Sequence, residues 1–153
     1  MYKLRTMKSF THNKREDLQN LNTKSGPLFK IDDDPRFIKG AKTLRRFSLD
    51  EIPQFLNVLK GNLNLVGFRP GLVNQKELND ARKKNGIFNH MPGITGLAQV
   101  TGYDMSNPEM LGKIEKYYYA NKSLKLDFQI LLCTLTGVFR IKLRQLVNNS
   151  IDV

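Results

Sequence analysis

Two adjacent carboxylates, Asp50 and Glu51, are the residues of this sequence best suited to chemistry. Aspartate is an established covalent nucleophile toward phosphoryl groups. Mg²⁺ is commonly bound through one or two carboxylates together with the phosphates of a substrate. One carboxylate could therefore attack an electrophile while its neighbour holds the cation. The same spacing is typical of a helix N-terminus, because Ser48 and Glu51 fit a capping box. Spacing alone leaves both interpretations open.

A reaction at phosphate also needs cations around the phosphoryl oxygens. Arginine suits this role because its planar guanidinium matches two phosphate oxygens at once. The candidates are Lys3, Arg5, Arg45, Arg46 and Arg69. Arg69 directly precedes a Pro-Gly pair, which predicts a rigid turn with room for a ligand to approach closely. Each arginine taken alone is more typical of a solvated surface charge.

Other reactive residue types predict no site. One cysteine, Cys133, lies in an apolar run, and the two histidines, His12 and His90, have no neighbouring ligands in sequence. These counts exclude a disulfide framework, a zinc site and a His-rich metal site. The acidic run of residues 32–34 precedes Pro35, which indicates a solvated turn. Neither a GxGxxG nor a GxxxxGK[ST] pattern occurs, so the usual nucleotide-binding loops are absent.

The charge balance favours an anionic partner. Lys and Arg number 25 against 14 Asp and Glu, a net charge of +11, and residues 1–46 hold twelve basic against five acidic residues. Nucleic acid, an anionic membrane surface and a phosphorylated substrate all fit this excess. A nucleic-acid-binding domain would interleave aromatic with basic residues. The aromatic residues gather instead at residues 117–119 and in apolar stretches, so we expect no nucleic-acid partner.

The elements that position these residues follow a mixed α/β pattern. Ile52, Phe55, Leu56 and Leu59 recur with helical spacing after Ser48. The sequence predicts a single domain over residues 1–153, built of helices and a few short strands, without the regular alternation of a Rossmann fold. Further helices are predicted over residues 11–26, 37–46, 74–84, 109–121 and from an N-cap at Asp127 to about Leu146. Strands are predicted over residues 28–31, 62–67 and 97–100, with a tight loop over residues 91–96.

The apolar run over residues 130–139 bears on membrane contact. It is far shorter than the roughly 20 apolar residues that a membrane-spanning helix needs. Basic residues flank it, so it could lie on a membrane as an amphipathic helix. A core helix with a basic end is the alternative. The N-terminal residues show no apolar stretch and predict no signal peptide.

Six short segments carry a family resemblance: residues 3–7 (KLRTM), 26–30 (GPLFK), 33–36 (DDPR), 48–54 (SLDEIPQ), 57–61 (NVLKG) and 92–100 (PGITGLAQV). In this order they resemble the bacterial sugar transferases that begin surface-glycan assembly, the monotopic polyprenyl-phosphate phosphoglycosyl transferases. The resemblance runs from about residue 3 to the last helix.

This resemblance implies an activity. Such enzymes move a phosphosugar from a nucleotide diphosphosugar, usually UDP-linked, to a polyprenyl phosphate and release UMP, at the cytoplasmic face of the bacterial inner membrane. In exopolysaccharide or lipopolysaccharide biosynthesis this is the initiating step. Asp50 matches the nucleophile of a covalent phosphosugar intermediate and Glu51 its partner at Mg²⁺. Arg45 and Arg69 match phosphate-handling arginines, and Lys3 and Arg5 are expected to assist.

Three departures from the family pattern stand out. The family usually has a membrane helix before the segment at residues 3–7, so the resemblance implies an N-terminally truncated member. Phe68 stands where a proline is usual, and Tyr103 stands where many members have an arginine. An inactive remnant of the family is therefore the alternative expectation. Sugar specificity is expected to lie within residues 74–90 and 103–108.

Overall fold

A computed structural model describes residues 2–9, 31, 34–46 and 48–151. It divides the chain into two compact units, Met1–Gly61 and Asn62–Val153. The helix predicted over residues 11–26 and all but the last residue of the strand predicted over residues 28–31 lie outside the described residues.

The first unit holds helix α1 (Ala41–Arg46), a 3₁₀ turn (Leu49–Glu51) and helix α2 (Gln54–Leu59). An extended segment over residues 2–9 ties them together, with Met7 and Phe37 forming an antiparallel bridge. Backbone hydrogen bonds run from Ile38 N to Thr6 O at 3.1 Å and from Leu4 N to Asp50 O at 3.0 Å. The segment that carries Lys3 is thereby fixed directly to the backbone of Asp50.

Helix α2 differs from the expected capping box. Ser48 has φ 53°, in the left-handed region, and its side chain caps none of the described amides. An N-cap serine normally has extended backbone angles that direct its oxygen at the first turn, so the left-handed conformation forfeits that cap. The 3₁₀ turn takes its place, and Pro53 precedes the regular helix.

The apolar side of α2 is exposed to solvent, whereas an apolar helix face is ordinarily buried. Ile52, Phe55, Leu56 and Leu59 are exposed, Leu59 to 83%. The polar residues Gln54 and Asn57 are the buried ones. The predicted helical spacing is confirmed, but the apolar face lies outward.

The second unit contains a two-stranded parallel sheet and five helices within the described residues. Strand β1 (Asn64–Val66) pairs with β2 (Gly93–Thr95) in the register Asn64↔Gly93 and Val66↔Thr95. The helices are α3 (Lys76–Lys84), α4 (Leu97–Thr101), α5 (Pro108–Ala120), α6 (Leu124–Thr136) and α7 (Arg140–Ser150), with a 3₁₀ turn at Ile87–Asn89. Buried apolar residues from β1, α3, α4, α5, α6 and α7 form one core. The predicted mixed, non-Rossmann class is confirmed. Across the described ranges, no helix is long and apolar enough to cross a membrane.

The predicted loop and strand between residues 91 and 100 are wrong. The strand lies within the expected loop, as β2, and the expected strand is helix α4. Glycine explains the first error, because a Cβ on Gly93 would lie 2.2 Å from Gly67 N and one on Gly96 only 2.1 Å from Gly67 O. Only residues without side chains allow the two backbones to approach so closely. Gly102, at φ 88°, then ends α4.

The predicted N-cap at Asp127 and the single last helix are also wrong. Ser123 caps α6 by accepting from Leu126 N at 3.3 Å. Asp127 lies in the first turn and accepts a hydrogen bond from Tyr118 Oη at 2.6 Å. Gly137, at φ 76°, ends α6, and α7 begins at Arg140. The helices predicted over residues 74–84 and 109–121 are confirmed as α3 and α5.

Candidate active site

The 3₁₀ turn brings Asp50 and Glu51 to the extended N-terminal segment. The Asp50 side chain is buried, with 4% of its surface exposed, and that of Glu51 is partly exposed. Lys3 Nζ lies 3.1 Å from Asp50 Oδ2 and 3.1 Å from Glu51 Oε1. One ammonium group thus contacts both carboxylates.

The other basic candidates of this unit lie along the same segment. Arg45 Nε donates to Thr6 Oγ1 at 2.9 Å, and its guanidinium lies over the Phe37 ring, 4.6 Å from the centroid. Arg5 Nη1 donates to Ser9 Oγ at 2.6 Å. Both arginines are exposed at their positions. The segment over residues 2–9 therefore organises the basic groups of the first unit as well as holding Lys3 on the carboxylates.

A buried ion pair supports this segment. Arg36 donates through Nε and Nη2 to the two carboxylate oxygens of Asp34, with the closest contact at 2.5 Å. These hydrogen bonds hold the pKa of the Asp34 carboxyl below its usual value, although burial opposes the shift. Arg36 O in turn accepts from Lys8 N at 2.8 Å. The pair fixes the turn against which residues 6–8 hydrogen-bond.

Arg69 belongs to the second unit, where it is exposed on the turn that follows β1. Its carbonyl oxygen accepts from Arg82 Nη2 at 2.8 Å, and the preceding Phe68 N donates to Tyr119 Oη at 3.0 Å. The predicted rigid turn is thus held by side chains of α3 and α5. Arg82 and its partner Glu115 were missed by sequence reasoning. The available signal was the spacing that places Arg82 beside Leu78 and Ala81 on the buried side of α3.

The donor set suits a hard divalent cation that completes its coordination with substrate. No group of three or more His, Cys, Asp and Glu side chains that could hold a metal occurs among the residues that the structure describes. Mg²⁺ needs no such cluster, since one or two carboxylates and substrate phosphates suffice. The contact of one ammonium with Asp50 and Glu51 shows that both carboxylates can be reached by a single positive charge. Asp50 and Glu51 are thus the residues that would hold Mg²⁺.

Comparison with known sequences identifies relatives of this chain. The sequence model for the bacterial sugar transferase family matches residues 1–141. The chain is 38% identical over 138 residues to galactosyl transferase CpsE of Streptococcus agalactiae, covering 90% of this chain and 30% of that protein. It is 36% identical over 138 residues to the uncharacterized sugar transferase EpsL of Bacillus subtilis, covering 90% and 61%.

The name of a third relative states the donor and the acceptor of that protein. The chain is 39% identical over 110 residues to UDP-glucose:undecaprenyl-phosphate glucose-1-phosphate transferase of Klebsiella pneumoniae, covering 67% of this chain and 23% of that protein. The chain thus spans less than two thirds of the length of each of these relatives. With the family match extending over most of its residues, the chain belongs to the bacterial sugar transferases.

Proposed function

We propose that this chain transfers a phosphosugar from a UDP-sugar to a polyprenyl phosphate and releases UMP. The observation that carries the proposal is the buried Asp50 carboxylate, fixed by Lys3 beside Glu51. The name of the Klebsiella relative, with a UDP-sugar donor and an undecaprenyl-phosphate acceptor, supports the substrate classes. The same chemistry at the cytoplasmic face of the bacterial inner membrane would begin assembly of an exopolysaccharide or lipopolysaccharide.

In the proposed first step, an Asp50 carboxylate oxygen attacks the phosphorus that bears the sugar. A new O–P bond forms, the bond to the bridging diphosphate oxygen breaks, and UMP leaves with that electron pair. In the second step, a phosphate oxygen of the polyprenyl phosphate attacks the same phosphorus and displaces the Asp50 carboxylate. The acceptor becomes a polyprenyl diphosphosugar, and the enzyme is regenerated. A carboxylate that is buried and already oriented suits this role because little reorganisation precedes attack.

Neighbouring residues would handle the phosphate charge. Asp50 and Glu51 would hold Mg²⁺, which when bound neutralises charge on the donor phosphates. Lys3 keeps the two carboxylates together, Arg5 lies on the same segment, and Arg45 of α1 donates a hydrogen bond to Thr6 of that segment. The family resemblance makes Arg69 of the second unit a further candidate; the residue is exposed, and its carbonyl oxygen accepts a hydrogen bond from Arg82. Arginines that contact the transferred group would stabilise the negative charge that develops on it.

A membrane surface is part of the proposal, because the acceptor is a lipid. On α6, α7 and the link between them, large apolar side chains are exposed, including Leu124 (90%), Leu135 (81%) and Ile141 (77%). Exposed basic residues accompany them, namely Lys125, Arg140, Lys142 and Arg144. Exposed apolar and basic side chains on the same two helices suit an anionic lipid interface. The outward apolar side of α2 supports the same partner for the first unit.

The test is UMP release from a panel of UDP-hexoses and UDP-N-acetylhexosamines, with Mg²⁺ and polyprenyl phosphate in detergent. Asp50→Asn should abolish release, and Glu109→Gln, at an exposed acid in the first turn of α5, should leave it unchanged. Without acceptor, intact-protein mass spectrometry should find one phosphosugar adduct on the wild-type chain and none on Asp50→Asn. A folded wild-type chain that neither releases UMP nor forms the adduct would overturn the proposal in favour of an inactive family member.

A further inference from the structure

An arginine with almost no exposed surface lies between α3 and α5. Arg82 is 1% exposed. Its Nε donates to Glu115 Oε2 at 2.8 Å and its Nη2 donates to Glu115 Oε1 at 2.5 Å. Burial raises the pKa of the Glu115 carboxyl, and the hydrogen bonds and charge of Arg82 oppose that shift. The two-pronged pair leaves the guanidinium little freedom to rotate.

The same guanidinium reaches the turn that carries Arg69. Arg82 Nη2 donates a further hydrogen bond to Arg69 O at 2.8 Å. The guanidinium carbon also lies 4.8 Å from the centroid of the Phe68 ring. One buried side chain therefore joins α3, α5 and the turn, and it contacts the turn at the residue whose side chain is proposed to bind phosphate.

Other contacts fix the part of the turn that precedes Arg69. Tyr119 Oη accepts from Phe68 N at 3.0 Å and donates to Met91 O at 3.1 Å. Phe68 O accepts from Gly93 N at 2.8 Å. These bonds define the backbone up to Phe68. The hydrogen bond from Arg82 Nη2 to Arg69 O fixes the next residue of the turn in the same way.

We propose that Arg82, oriented by Glu115, is a positioning residue that sets the backbone of Arg69 for phosphate binding. The inference rests on the proposed function, in which Arg69 contacts the donor. A buried ion pair is weak evidence for stability, because well-packed apolar residues often replace such a pair without loss. Apolar residues cannot supply a donor to the Arg69 carbonyl. That hydrogen bond is what the charged pair adds.

The test replaces the pair with apolar residues of similar size. Arg82→Met with Glu115→Leu removes both charges together, so neither is left buried alone. Lys113→Met with Lys116→Leu is the control, since these two exposed residues of α5 lie outside the segments expected to set sugar specificity. The apolar double variant should keep the wild-type unfolding temperature and lose about tenfold or more in kcat/KM for the UDP-sugar, in line with the cost of small misplacements. The control should match wild type in both measurements.

Arg69→Ala separates positioning from general stabilisation. If Arg82 acts through Arg69, the substitutions at residues 82 and 115 should cost no further activity in an Arg69→Ala background. Hydrogen exchange over residues 67–72 should also become faster in the apolar double variant but not in the control. Independent, multiplicative losses of activity would overturn the inference, as would an Arg69→Ala variant with full activity.

Two further outcomes keep the proposals distinct. A wild-type chain without UMP release overturns the proposed function. An active wild-type chain whose apolar double variant keeps wild-type kcat/KM overturns only the role of Arg82. Should that variant fail to fold, Arg82→Lys retains the buried charge while losing the planar group that bonds Glu115 and Arg69 together. A folded Arg82→Lys chain with unchanged kcat/KM would equally overturn the inference.

Discussion

Lys3 Nζ lies 3.1 Å from Asp50 Oδ2, which joins the start of the chain to the buried carboxylate of the proposed nucleophile. The hydrogen bond from Leu4 N to Asp50 O reinforces the contact at the backbone. Lys3 also contacts Glu51, so it offsets repulsion between two neighbouring negative charges. The ammonium is therefore expected to hold the two carboxylates in place. When a divalent cation binds, we expect the cation to take over part of this charge neutralisation.

Replacing Lys3 with methionine keeps the length of the side chain and removes its charge. We expect UMP release to fall by roughly 100-fold, because a preorganised charged donor is lost from the phosphate site. The free energy of unfolding should fall by about 1 to 3 kcal/mol, because the Asp50 side chain is only 4% exposed and loses a counter-charge, while Lys3 itself is about a third exposed. Lys39→Met, at an exposed lysine of the same unit, is the control. Full activity in Lys3→Met would remove Lys3 from the proposed site.

We expect the folded chain to lose stability in acid because of the Asp34 carboxyl. The hydrogen bonds from Arg36 lower its pKa, so the folded state favours the ionised carboxyl. This stabilisation is fully present above the ordinary aspartate pKa of about 4 and is lost as pH falls through the lower folded value. Asp34→Asn should cost about 3 kcal/mol at pH 7, because the buried Arg36 loses its counter-charge.

Urea unfolding of wild type and Asp34→Asn between pH 7 and pH 3 measures this difference. The gap in unfolding free energy should narrow at the acid end of the range. Asp80→Asn, at an exposed acid, provides the control and should follow wild type throughout. A gap that stays constant with pH would show that Asp34 contributes through its shape and not through its charge.

The sequence predicted the local features of the site but not the orientation of its elements. The adjacent carboxylates could be read directly from residues 50–51, whereas the contact of Lys3 with Glu51 joins residues 48 positions apart and could not. The spacing of Phe55 and Leu59 predicted a helix, yet periodicity does not say which side is buried. In α2 the buried side carries Gln54 and Asn57. The catalytic and metal-binding roles of Asp50 and Glu51 stay predictions.

Features that depend on contacts between residues far apart in the chain could not be predicted from the sequence. Residues 97–100 have the composition of a strand, but the strand that pairs with β1 lies four residues earlier, where Gly67 and Gly93 allow close contact. Arg82 and Glu115 are 33 residues apart and meet only because α3 packs on α5. The spacing of Arg82 with Leu78 and Ala81 indicates the buried side of α3, but it does not identify Glu115 as the partner.

Gly93 should be intolerant of even a methyl group. A Cβ there would lie 2.2 Å from Gly67 N and 2.7 Å from Gly67 Cα, both rigid backbone atoms. We expect Gly93→Ala to destabilise the chain by about 3 kcal/mol or more, at the upper end of overpacking costs. Gly40→Ala is the contrast, because its φ of 83° is strained for alanine but no atom lies within 4 Å. The free energy of unfolding of Gly40→Ala should fall by about 1 to 2 kcal/mol. Thermal unfolding measures the loss of stability in each variant. Equal losses in Gly93→Ala and Gly40→Ala would contradict the close approach of β1 and β2.

The exposed surface of α6 and α7 predicts binding to anionic lipid. Leu135→Ser with Ile141→Ser removes two of its most exposed apolar side chains, and neither lies in the buried core. Burial of apolar area contributes about 25 cal/mol per Å², so co-sedimentation with vesicles of anionic phospholipid should weaken by roughly tenfold or more. Val73→Ser tests an apolar residue exposed to 96% outside this surface and should bind as wild type does. Raising the salt concentration should weaken wild-type binding further, because the basic residues beside the apolar ones act through screened charge. Equal sedimentation of wild type and the double-serine variant would place the lipid contact elsewhere on the chain.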